Sequence, residues 1–508
     1  MDHYVSDKNR FRTYTDEETY KKITDDGDLC SLWQRCAVSY ADKDALSYDG
    51  ASLTYSGLDK KAAAVRNTLA GASVKPGDRV AILAENSSEF VYAYLAVVTS
   101  GAVAVVLPPQ IGPEAVTGCC KNMQVRAVLC KQELMEKCEK VRKALPEVTV
   151  FSINADADSD KEMPVFIPQP DDACMIMFTG GTTGRQKGVI LSHKAVVRGI
   201  MNGCLGIKEI FDQRYLLVLP LSHVFGLIRN MLTCFYTGST LYISKSAQNI
   251  VSDMAAFHPT VLVLVPALAE MLLQLCEKLN RDIFGSSLKV MICGAAAVPQ
   301  YLVEKYDKRG ISLFPGYGLT ESANLVSGNP EPLRKPGSVG IPFPDQELKI
   351  VDGELWLKGR NMLTDYIGAD EEAYTPDGWF KTGDLARLDE DGFLFITGRI
   401  KETIVMDNGE NIYPAQLEER FLTLPFVQDC EVFEEKEENG SHVLVLEVFL
   451  RATELASLGS SPQERAMDEL WKKNQEQMLS EQVSRIVIRK EDFPRLPSMK
   501  IERHRSNR

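Results

Sequence analysis

Short runs of Val, Ile, Leu and Ala alternate with segments of helical periodicity along most of the sequence. The clearest runs read DRVAILAE, AVAVVLP, VRAVLC, TVLVLVP and LKVMICGA. Strands that are apolar on both faces and separated by helices are typical of parallel sheets with helices on both sides. The sequence therefore predicts an α/β protein with a large N-terminal body of mixed or parallel sheets covered by helices.

The pattern changes from about Gly337 onward, where shorter strands alternate polar and apolar residues. The segments QELKIVDGELWLKG and ARLDEDGFLFITGR each contain an Asp-Gly pair, which favours a tight turn between antiparallel strands. We predict a small antiparallel β subdomain here, packed beside the larger body.

The C-terminal part has a pattern of its own. It predicts a helix at PAQLEERFLTL, strands at QDCEVFEEK and HVLVLEVFL, a polar helix around residues 461–483 and a further strand at IVIRKEDFP. The chain of 508 residues is long for one domain, since about 150 residues is a common domain length. We expect a large domain over residues 1–398 and a small α+β domain over residues 399–508.

The charge balance and the cysteines argue against several classes of protein. Lys and Arg number 57 against 70 Asp and Glu, and the net charge of -13 disfavours nucleic acid and anionic membrane as partners. The 12 cysteines include no CxxC, so they suggest neither a zinc site nor a disulfide framework. The N-terminus is charged where a signal peptide needs an apolar stretch, and the cytoplasm is the expected location.

The longest uncharged run extends from Phe90 to Leu107. A membrane-spanning helix needs about 18 or more consecutive apolar residues, and Thr99-Ser100-Gly101 interrupts this run. We therefore predict a buried helix followed by a strand, and no membrane span.

The segment from Thr179 to Gly188 has the composition of a phosphate-binding loop. It follows the apolar CMIMF and reads TGGTTGRQKG. Glycines and small hydroxyl residues after a strand expose backbone N–H groups and hydroxyls to phosphate oxygens, while Lys187 adds a positive charge. It is not a Walker A loop, because Lys187 does not directly follow Gly184. On its own, the segment is equally consistent with a flexible surface loop.

Three further motifs follow in order: GYGLTES at residues 316–322, TGD at residues 382–384 and TGR at residues 397–399. Together with the loop, they resemble the ordered signatures of the adenylate-forming (ANL) superfamily. This superfamily includes acyl- and aryl-CoA synthetases, the adenylation domains of peptide synthetases and firefly-type luciferases. The resemblance extends from TYSGLDKKAAAVRNTLAG to PSMK, which is nearly the whole chain.

The resemblance implies an enzyme that uses ATP, Mg²⁺ and coenzyme A in two half-reactions. A carboxylic acid first attacks ATP to give an acyl-adenylate and pyrophosphate, and a thiol then displaces AMP. The resemblance also implies that the small C-terminal domain is mobile, and that it rotates between the two steps about a hinge near Lys401.

Individual residues match positions that contact the nucleotide in this family. The phosphates of ATP would be bound by Thr179, Gly181, Thr182, Thr183, Gly184 and Lys187. The adenine and the ribose would lie beside Gly294, Ala295, Ala296, Tyr317, Gly318, Asp384 and Arg399. Thr320 would contact the α-phosphate and Glu321 would bind magnesium, a cation that prefers carboxylate oxygen.

Three more residues match positions that serve the acid and the chemistry. His223, in PLSHVFG, would line the channel near the reacting carboxylate, and Lys500, in PSMK, would be the catalytic lysine of the first step. Gly409, in NGEN, would help to form the pantetheine tunnel in the second step. Taken singly, each motif has a plainer alternative: packing for Tyr317, a turn for Asp384, a core or solvated histidine, a hairpin at NGEN and a basic C-terminal tail.

Two positions depart from the family pattern. Gln186 stands where the loop usually has Pro, which costs some rigidity but removes no ligand. Met499 replaces the Gly that commonly precedes the catalytic lysine, so the backbone there has less freedom. We expect both to be tolerated.

The identity of the acid is only partly constrained. The stretch VFGLIRNMLTCFY after His223 has no acidic residue to pair with an α-amine, which disfavours an amino acid. Small residues at Gly226, Ala295, Ala297 and Gly318, among mostly apolar neighbours, suit a fatty or aryl tail. Coenzyme A is the expected acceptor, since no carrier domain follows the catalytic lysine. A separate carrier protein, a luciferase-like oxygenase and a non-catalytic acyl-binding relative remain alternatives, and the oligomeric state is open.

Overall fold

The structure is a computed structural model. It describes residues 3–5, 10–154, 162–179, 187–331, 333–368, 373–406, 411–436, 442–495 and 501–503. The fold is that of these residues.

The regular elements follow one another along the chain as α/β units, then as antiparallel strands. Up to residue 152 they are β1 (His3–Val5), α1 (Arg10–Tyr14), α2 (Glu17–Lys22), α3 (Leu29–Ser39), β2 (Asp44–Tyr48), β3 (Ala51–Thr54), α4 (Tyr55–Leu69), β4 (Arg79–Leu83), α5 (Ser88–Thr99), β5 (Val103–Leu107), α6 (Pro113–Asn122), β6 (Val125–Cys130), α7 (Met135–Ala144) and β7 (Thr149–Ser152). Up to residue 317 follow β8 (Ala173–Thr179), β9 (Lys187–Ser192), α8 (His193–Asn202), β10 (Arg214–Leu217), a π-helix (Phe225–Leu232), α9 (Thr233–Tyr236), β11 (Thr240–Ile243), α10 (Ile250–Phe257), β12 (Val261–Leu264), α11 (Pro266–Leu279), β13 (Val290–Cys293), α12 (Gln300–Asp307) and β14 (Ser312–Tyr317).

The remaining elements complete the antiparallel and C-terminal parts. They are β15 (Ser327–Gly328), β16 (Ile341–Pro342), β17 (Gln346–Val351), β18 (Glu354–Gly359), β19 (Asp365–Ile367), β20 (Phe380–Leu388), β21 (Leu394–Arg399), β22 (Ile404–Val405), β23 (Asn411–Ile412), α13 (Pro414–Leu422), β24 (Val427–Lys436), β25 (His442–Leu450), α14 (Ala452–Ala456), α15 (Pro462–Gln475) and β26 (Arg485–Ile488). Short 3₁₀ turns lie at Ala70–Ala72, Gln132–Leu134, Ala247–Asn249, Thr320–Ser322, Ile400–Glu402 and Leu479–Glu481.

The first large sheet has the strand order β19-β9-β8-β5-β4-β6-β7. Strands β8, β5, β4, β6 and β7 run parallel, while β9 and β19 are antiparallel additions at one edge. Along β4, Val80 and Ile82 belong to one apolar core and Ala81 and Leu83 to another. Both faces of the sheet are therefore buried, which is why the strand carries no alternating polar residues.

The second large sheet has the order β16-β15-β14-β13-β12-β10-β11-β2-β3. Its strands from β14 to β2 run parallel, and the pairs at either end are antiparallel. The apolar runs TVLVLVP and LKVMICGA are β12 and β13, as predicted. The prediction of an α/β body with mixed or parallel sheets is confirmed.

A third sheet, β1-β17-β18-β20-β21, is antiparallel throughout. The turn between β17 and β18 is formed by Asp352 and Gly353, whose φ angles are 50° and 83°. Two successive positive φ angles are typical of a type I′ turn, which explains the Asp-Gly signal in the sequence. The predicted antiparallel subdomain is confirmed.

The C-terminal part contains the sheet β24-β25-β26 and its own apolar core, which includes Leu417, Phe421 and Leu446. The predicted polar helix is shorter than expected, since α15 ends at Gln475 rather than near residue 483. The Asn474 side chain explains the end, because it accepts from Val483 N at 2.8 Å and donates to Val483 O at 3.0 Å. The domain boundary at 398/399 stays a prediction.

Polar side chains connect the C-terminal part to the body. Arg451 Nε lies 2.9 Å from Glu270 Oε1, and the Tyr301 hydroxyl donates to Glu270 Oε2 at 2.5 Å. Gln274 donates to Gln428 across the same interface at 2.9 Å. Arg451 and Glu270 are both buried. The contact is thus built around an ion pair, and the apolar core of the C-terminal part is separate from that of the body.

The uncharged run from Phe90 to Leu107 forms most of α5 and all of β5. Both elements are largely buried in the first sheet and its helical cover. Across the described residues, no helix combines the length and the apolar character needed to span a bilayer.

Candidate active site

A cleft of about 2960 Å³ opens at the carboxyl edge of the second sheet. Strands β10, β12, β13 and β14 are parallel, so their carboxyl ends meet at one edge, where open α/β sheets bind ligands. The segments that follow β13 and β14 line this cleft, as does the segment between β10 and the π-helix. The topology thereby brings Gly294, Tyr317 and His223 to one place.

The backbone around Tyr317 is packed closely. A Cβ atom on Gly318 would lie 1.5 Å from the backbone oxygen of Asn324, so only glycine fits there. Gly294 lies just after β13, and a Cβ on it would lie 3.4 Å from Gly316 O. Ala295 has a φ of 64°, and with Ala296 it is exposed in the cleft. The exposed alanines, with glycines on either side of Tyr317, allow a flat ligand group to lie close to the backbone on the cleft side.

Asp384 is buried and bonded to two side chains, one of which, Arg399, is exposed. It lies on β20 opposite Arg399 on β21, and Arg399 Nε is 2.8 Å from Asp384 Oδ1. The Tyr317 hydroxyl donates to Asp384 Oδ2 at 2.6 Å. Burial raises the pKa of Tyr317, so the phenol remains a donor. A carboxylate accepts hydrogen bonds from hydroxyl groups, so Asp384 is a candidate ligand for the hydroxyls of a bound nucleoside.

Glu321 and Lys187 are joined by an aromatic residue that the sequence did not single out. The Tyr366 hydroxyl donates to Glu321 Oε1 at 2.8 Å, and Lys187 Nζ lies 5.4 Å from the centre of the Tyr366 ring. Burial raises the pKa of Glu321, while the hydrogen bond from Tyr366 acts in the opposite direction. One ring therefore positions both a cation and a carboxylate.

Strand pairing explains the position of Tyr366. Strand β19 adds to the edge of β9, with Tyr366 opposite Val189 and Ile367 opposite Gly188. Leu363 N also donates to the backbone oxygen of Glu321 at 2.7 Å. These contacts hold the turn Thr320–Ser322, which contains the predicted α-phosphate contact Thr320, against the edge of the first sheet.

Glu321 has the chemistry of a magnesium ligand. In the described part of the chain, no group of three or more His, Cys, Asp or Glu side chains could hold a metal ion by itself. Mg²⁺ commonly takes one or two carboxylates and fills its other positions with water and substrate phosphates. A single carboxylate in the cleft beside Lys187 fits that donor set.

His223 lies before the π-helix and lines the same cleft. A Cβ on Gly226, in the first turn of the π-helix, would lie 2.3 Å from the backbone oxygen of Pro220. The glycine therefore allows the helix to start close against the preceding loop. π-Helices are rare and frequently occur at functional sites.

The expectation of mostly apolar neighbours in the acid pocket is incomplete. Arg229 and Asn324 both line the cleft and are buried, with 1% and 4% of their surface exposed. Arg229 stands in the stretch VFGLIRNMLTCFY, whose lack of acidic residues disfavours an amino acid substrate. Arg229 lies on the π-helix and forms part of the cleft wall. Sequence periodicity does not reveal this helix geometry.

Lys401 lies in the turn Ile400–Glu402, directly after β21, and is exposed at the rim of the cleft. Other predicted site residues lie outside the described residues: Gly181, Thr182, Thr183, Gly184, Gln186, Gly409, Met499 and Lys500. Thr179 is described by its backbone, as the last residue of β8 and the strand partner of Lys187.

Comparison with known proteins identifies the family. Residues 33–367 match the family model described as AMP-binding enzyme, which is more than half of the chain. The chain belongs to this family. The prediction of an adenylate-forming enzyme is therefore confirmed.

Curated relatives are similar over most of their length. A feruloyl-CoA synthase of an Amycolatopsis species is 30% identical over 406 residues, which cover 76% of this chain and 82% of the relative. A 2-succinylbenzoate–CoA ligase of Bacillus cytotoxicus is 29% identical over 434 residues, or 82% of this chain and 87% of the relative.

Solved structures share the fold. An anthranilate CoA ligase, AuaEII, in complex with anthranoyl-AMP has a TM-score of 0.82 at 22% identity, covering 93% of this chain and 95% of that one. The o-succinylbenzoate CoA synthetase MenE from Bacillus subtilis, in complex with its acyl-adenylate intermediate, has a TM-score of 0.76 at 25% identity. That match covers 92% of this chain and 96% of the other.

Proposed function

We propose that this AMP-binding enzyme is an acid–thiol ligase that activates a carboxylic acid with ATP and transfers it to coenzyme A. The observation that supports this most is the convergence, in one cleft, of two polar groups with different chemistry. The first is Asp384 with Tyr317 and Arg399, and the second is Lys187 with Tyr366 and Glu321.

The first polar group suits the nucleoside. Asp384, which is bonded to Tyr317 and Arg399, would accept hydrogen bonds from the ribose hydroxyls, while Gly294 would let the adenine lie close to the backbone. Tyr317 would contact the base with its ring, because its hydroxyl is already committed to Asp384. The nucleoside would thus be fixed at both its sugar and its base.

The second polar group suits the phosphates. Lys187 would bring a positive charge to the triphosphate, Thr320 would donate to the α-phosphate, and Glu321 would hold magnesium. Magnesium bound there would neutralise charge that accumulates on the phosphate oxygens during transfer. Positioning and charge stabilisation suffice for the reaction, so no covalent enzyme intermediate is needed.

We propose that the two half-reactions use different arrangements of the C-terminal domain, residues 399–508. Rotation near Lys401 would bring Lys500 to the cleft for adenylation. It would bring Gly409 and its neighbours there for thioester formation. In this scheme Lys500 acts only in the first step, where it offsets negative charge on the phosphates.

The acid is expected to carry an aryl or acyl tail that extends from His223 along the π-helix. Relatives named for feruloyl-CoA and 2-succinylbenzoate support an aryl acid. Coenzyme A is favoured over a carrier protein because both of these relatives are CoA ligases. We expect the enzyme to work in the cytoplasm.

A panel of acids tests this function. Pyrophosphate release is measured with ferulate, 2-succinylbenzoate, anthranilate and linear fatty acids, each with and without coenzyme A. We expect acid-dependent release, thioester formation with coenzyme A and loss of both in Asp384→Asn. Asp377→Asn, at an exposed position of the same antiparallel region, is the matched control. If turnover requires a carrier protein, or if the enzyme takes up oxygen and emits light, the second step would be reassigned. If no acid stimulates pyrophosphate release, the proposal is refuted.

A further inference from the structure

Arg229 is a charged side chain buried in the wall of the cleft. It is 1% exposed, and its Nε and Nη1 atoms have no hydrogen-bond partner among the described residues. A guanidinium stays protonated at physiological pH, and a buried charge is costly unless it is paired. The protein therefore maintains an unfavourable group at this position.

The immediate neighbours of Arg229 do not supply the missing negative charge. Tyr215 lies close enough for its phenol to interact with Arg229, although the phenol oxygen and Arg229 Nε and Nη1 do not meet the geometry of a hydrogen bond. Burial raises the pKa of the Tyr215 phenol, while Arg229 acts in the opposite direction. Burial likewise raises the pKa of the Cys204 thiol, to about 12. Both groups are neutral at physiological pH. Within the described residues, no carboxylate forms an ion pair with Arg229.

Two asparagines beside the same part of the cleft also have unsatisfied side chains. Asn324 Nδ2 has no partner in the described part of the chain, and neither does the amide nitrogen or oxygen of Asn202. Gly203, next to Asn202, lies against Arg229, since a Cβ on it would be 3.3 Å from Arg229 Nη1. Buried polar atoms are rarely left without partners, and all three side chains line the same cleft, so a ligand bound there could supply their partners.

The position of Arg229 indicates which part of a ligand it would meet. His223 lies just before the π-helix that carries Arg229, and both residues line the cleft. Arg229 is also the more deeply buried of the two. If the reacting carboxylate lies near His223, Arg229 faces the far end of the acid.

We propose that Arg229 binds a second carboxylate at the far end of the substrate, so that the enzyme prefers dicarboxylic acids. Asn324 and Asn202 hydrogen-bond the same group. This inference rests on the proposed adenylation function and specifies its substrate class. A neutral tail would leave the guanidinium unpaired in a desolvated pocket, whereas a carboxylate accepts charge-assisted hydrogen bonds from it.

Matched pairs of acids test the proposal. Linear dicarboxylic acids from succinate to sebacate are compared with monocarboxylic acids of the same length, and 3-(carboxyphenyl)propanoate with 3-phenylpropanoate. The measurement is kcat/KM for acid-dependent ATP–pyrophosphate exchange. For the wild-type enzyme we expect the best dicarboxylic acid to exceed its monocarboxylic partner by about 100-fold or more.

The variants separate recognition from folding. Arg229→Gln should bring that ratio close to one, and Arg229→Lys should restore part of it. Arg66→Gln is the control, since Arg66 is buried but bonded to Met163 O at 2.8 Å and Thr99 Oγ1 at 3.0 Å. It should keep the wild-type ratio.

Several outcomes would overturn the proposal. One is a higher kcat/KM of the wild-type enzyme for monocarboxylic acids than for the matched dicarboxylic acids. This test does not depend on whether the Arg229 variants fold. Another is an Arg229→Gln variant that loses exchange with both classes in equal proportion, which would give Arg229 a structural role. Exchange with neither class would instead refute the adenylation function itself.

Discussion

The hydroxyl of Tyr366 offers a way to test whether Glu321 is the metal-binding carboxylate. Replacing Tyr366 by Phe removes the hydrogen bond to Glu321 Oε1 and keeps the ring against Lys187. Burial already raises the pKa of Glu321, and the lost hydrogen bond had acted in the opposite direction. The pKa of Glu321 should therefore rise further in the variant.

The size of the effect follows from the energy of that contact. A hydrogen bond to a charged acceptor contributes about 1.5–3 kcal/mol, and one pH unit corresponds to about 1.4 kcal/mol. Glu321 is not fully buried, so the lower end of the range applies. Since protons compete with Mg²⁺ for the carboxylate, we expect the acidic limb of Mg²⁺-dependent exchange to move by about one pH unit to higher pH.

The assay is ATP–pyrophosphate exchange at limiting Mg²⁺, measured from mildly acidic to neutral pH. Above the limb, Tyr366→Phe should approach wild-type activity, and saturating Mg²⁺ should reduce the difference. Tyr306→Phe is the control, because it removes a buried phenol that donates to Ala269 O at 2.7 Å, away from the cleft. A Tyr366→Phe profile that falls equally at every pH would refute the reasoning.

Four other substitutions probe separate parts of the structure. Lys500→Ala should abolish acid-dependent exchange and spare thioester formation from supplied acyl-adenylate, and equal loss of both steps would contradict the proposed division. Gly318→Ala should sharply lower soluble yield or activity because of the clash with Asn324 O, whereas Gly118→Ala, in open space on α6, should stabilise by up to about 1 kcal/mol. Arg451→Met should lower the free energy of unfolding by about 3–5 kcal/mol by leaving Glu270 buried without its cation, as read from the denaturation midpoint.

Local patterns predicted the sheets and the turns well. The apolar runs form parallel strands because both faces of each sheet are covered. A strand buried on both faces needs apolar residues at consecutive positions, and this pattern can be read from a few residues. The Asp-Gly signal in ARLDEDGFLFITGR likewise predicts a hairpin, whose register places Asp384 opposite Arg399. Motif and fold therefore lead to the same pair of residues.

Tyr366 and Arg229 could not be predicted in the same way. Tyr366 meets Glu321 only because β19 joins the edge of β9, a pairing between segments far apart in sequence. Arg229 lines the cleft from a π-helix, and helical periodicity in the sequence does not distinguish that geometry from an α-helix. The positions of both side chains depend on packing between distant segments, which local sequence patterns do not encode.

The buried ion pair between Arg451 and Glu270 has a consequence for the domain rotation proposed above. Two charges removed from water gain hydration when they part, and this gain offsets much of the attraction that is lost. An apolar interface would instead expose a hydrophobic patch whenever it opened, and such a patch favours self-association. An interface held by an ion pair and amide hydrogen bonds would therefore suit the domain rotation proposed above, because it would open without exposing a large apolar surface.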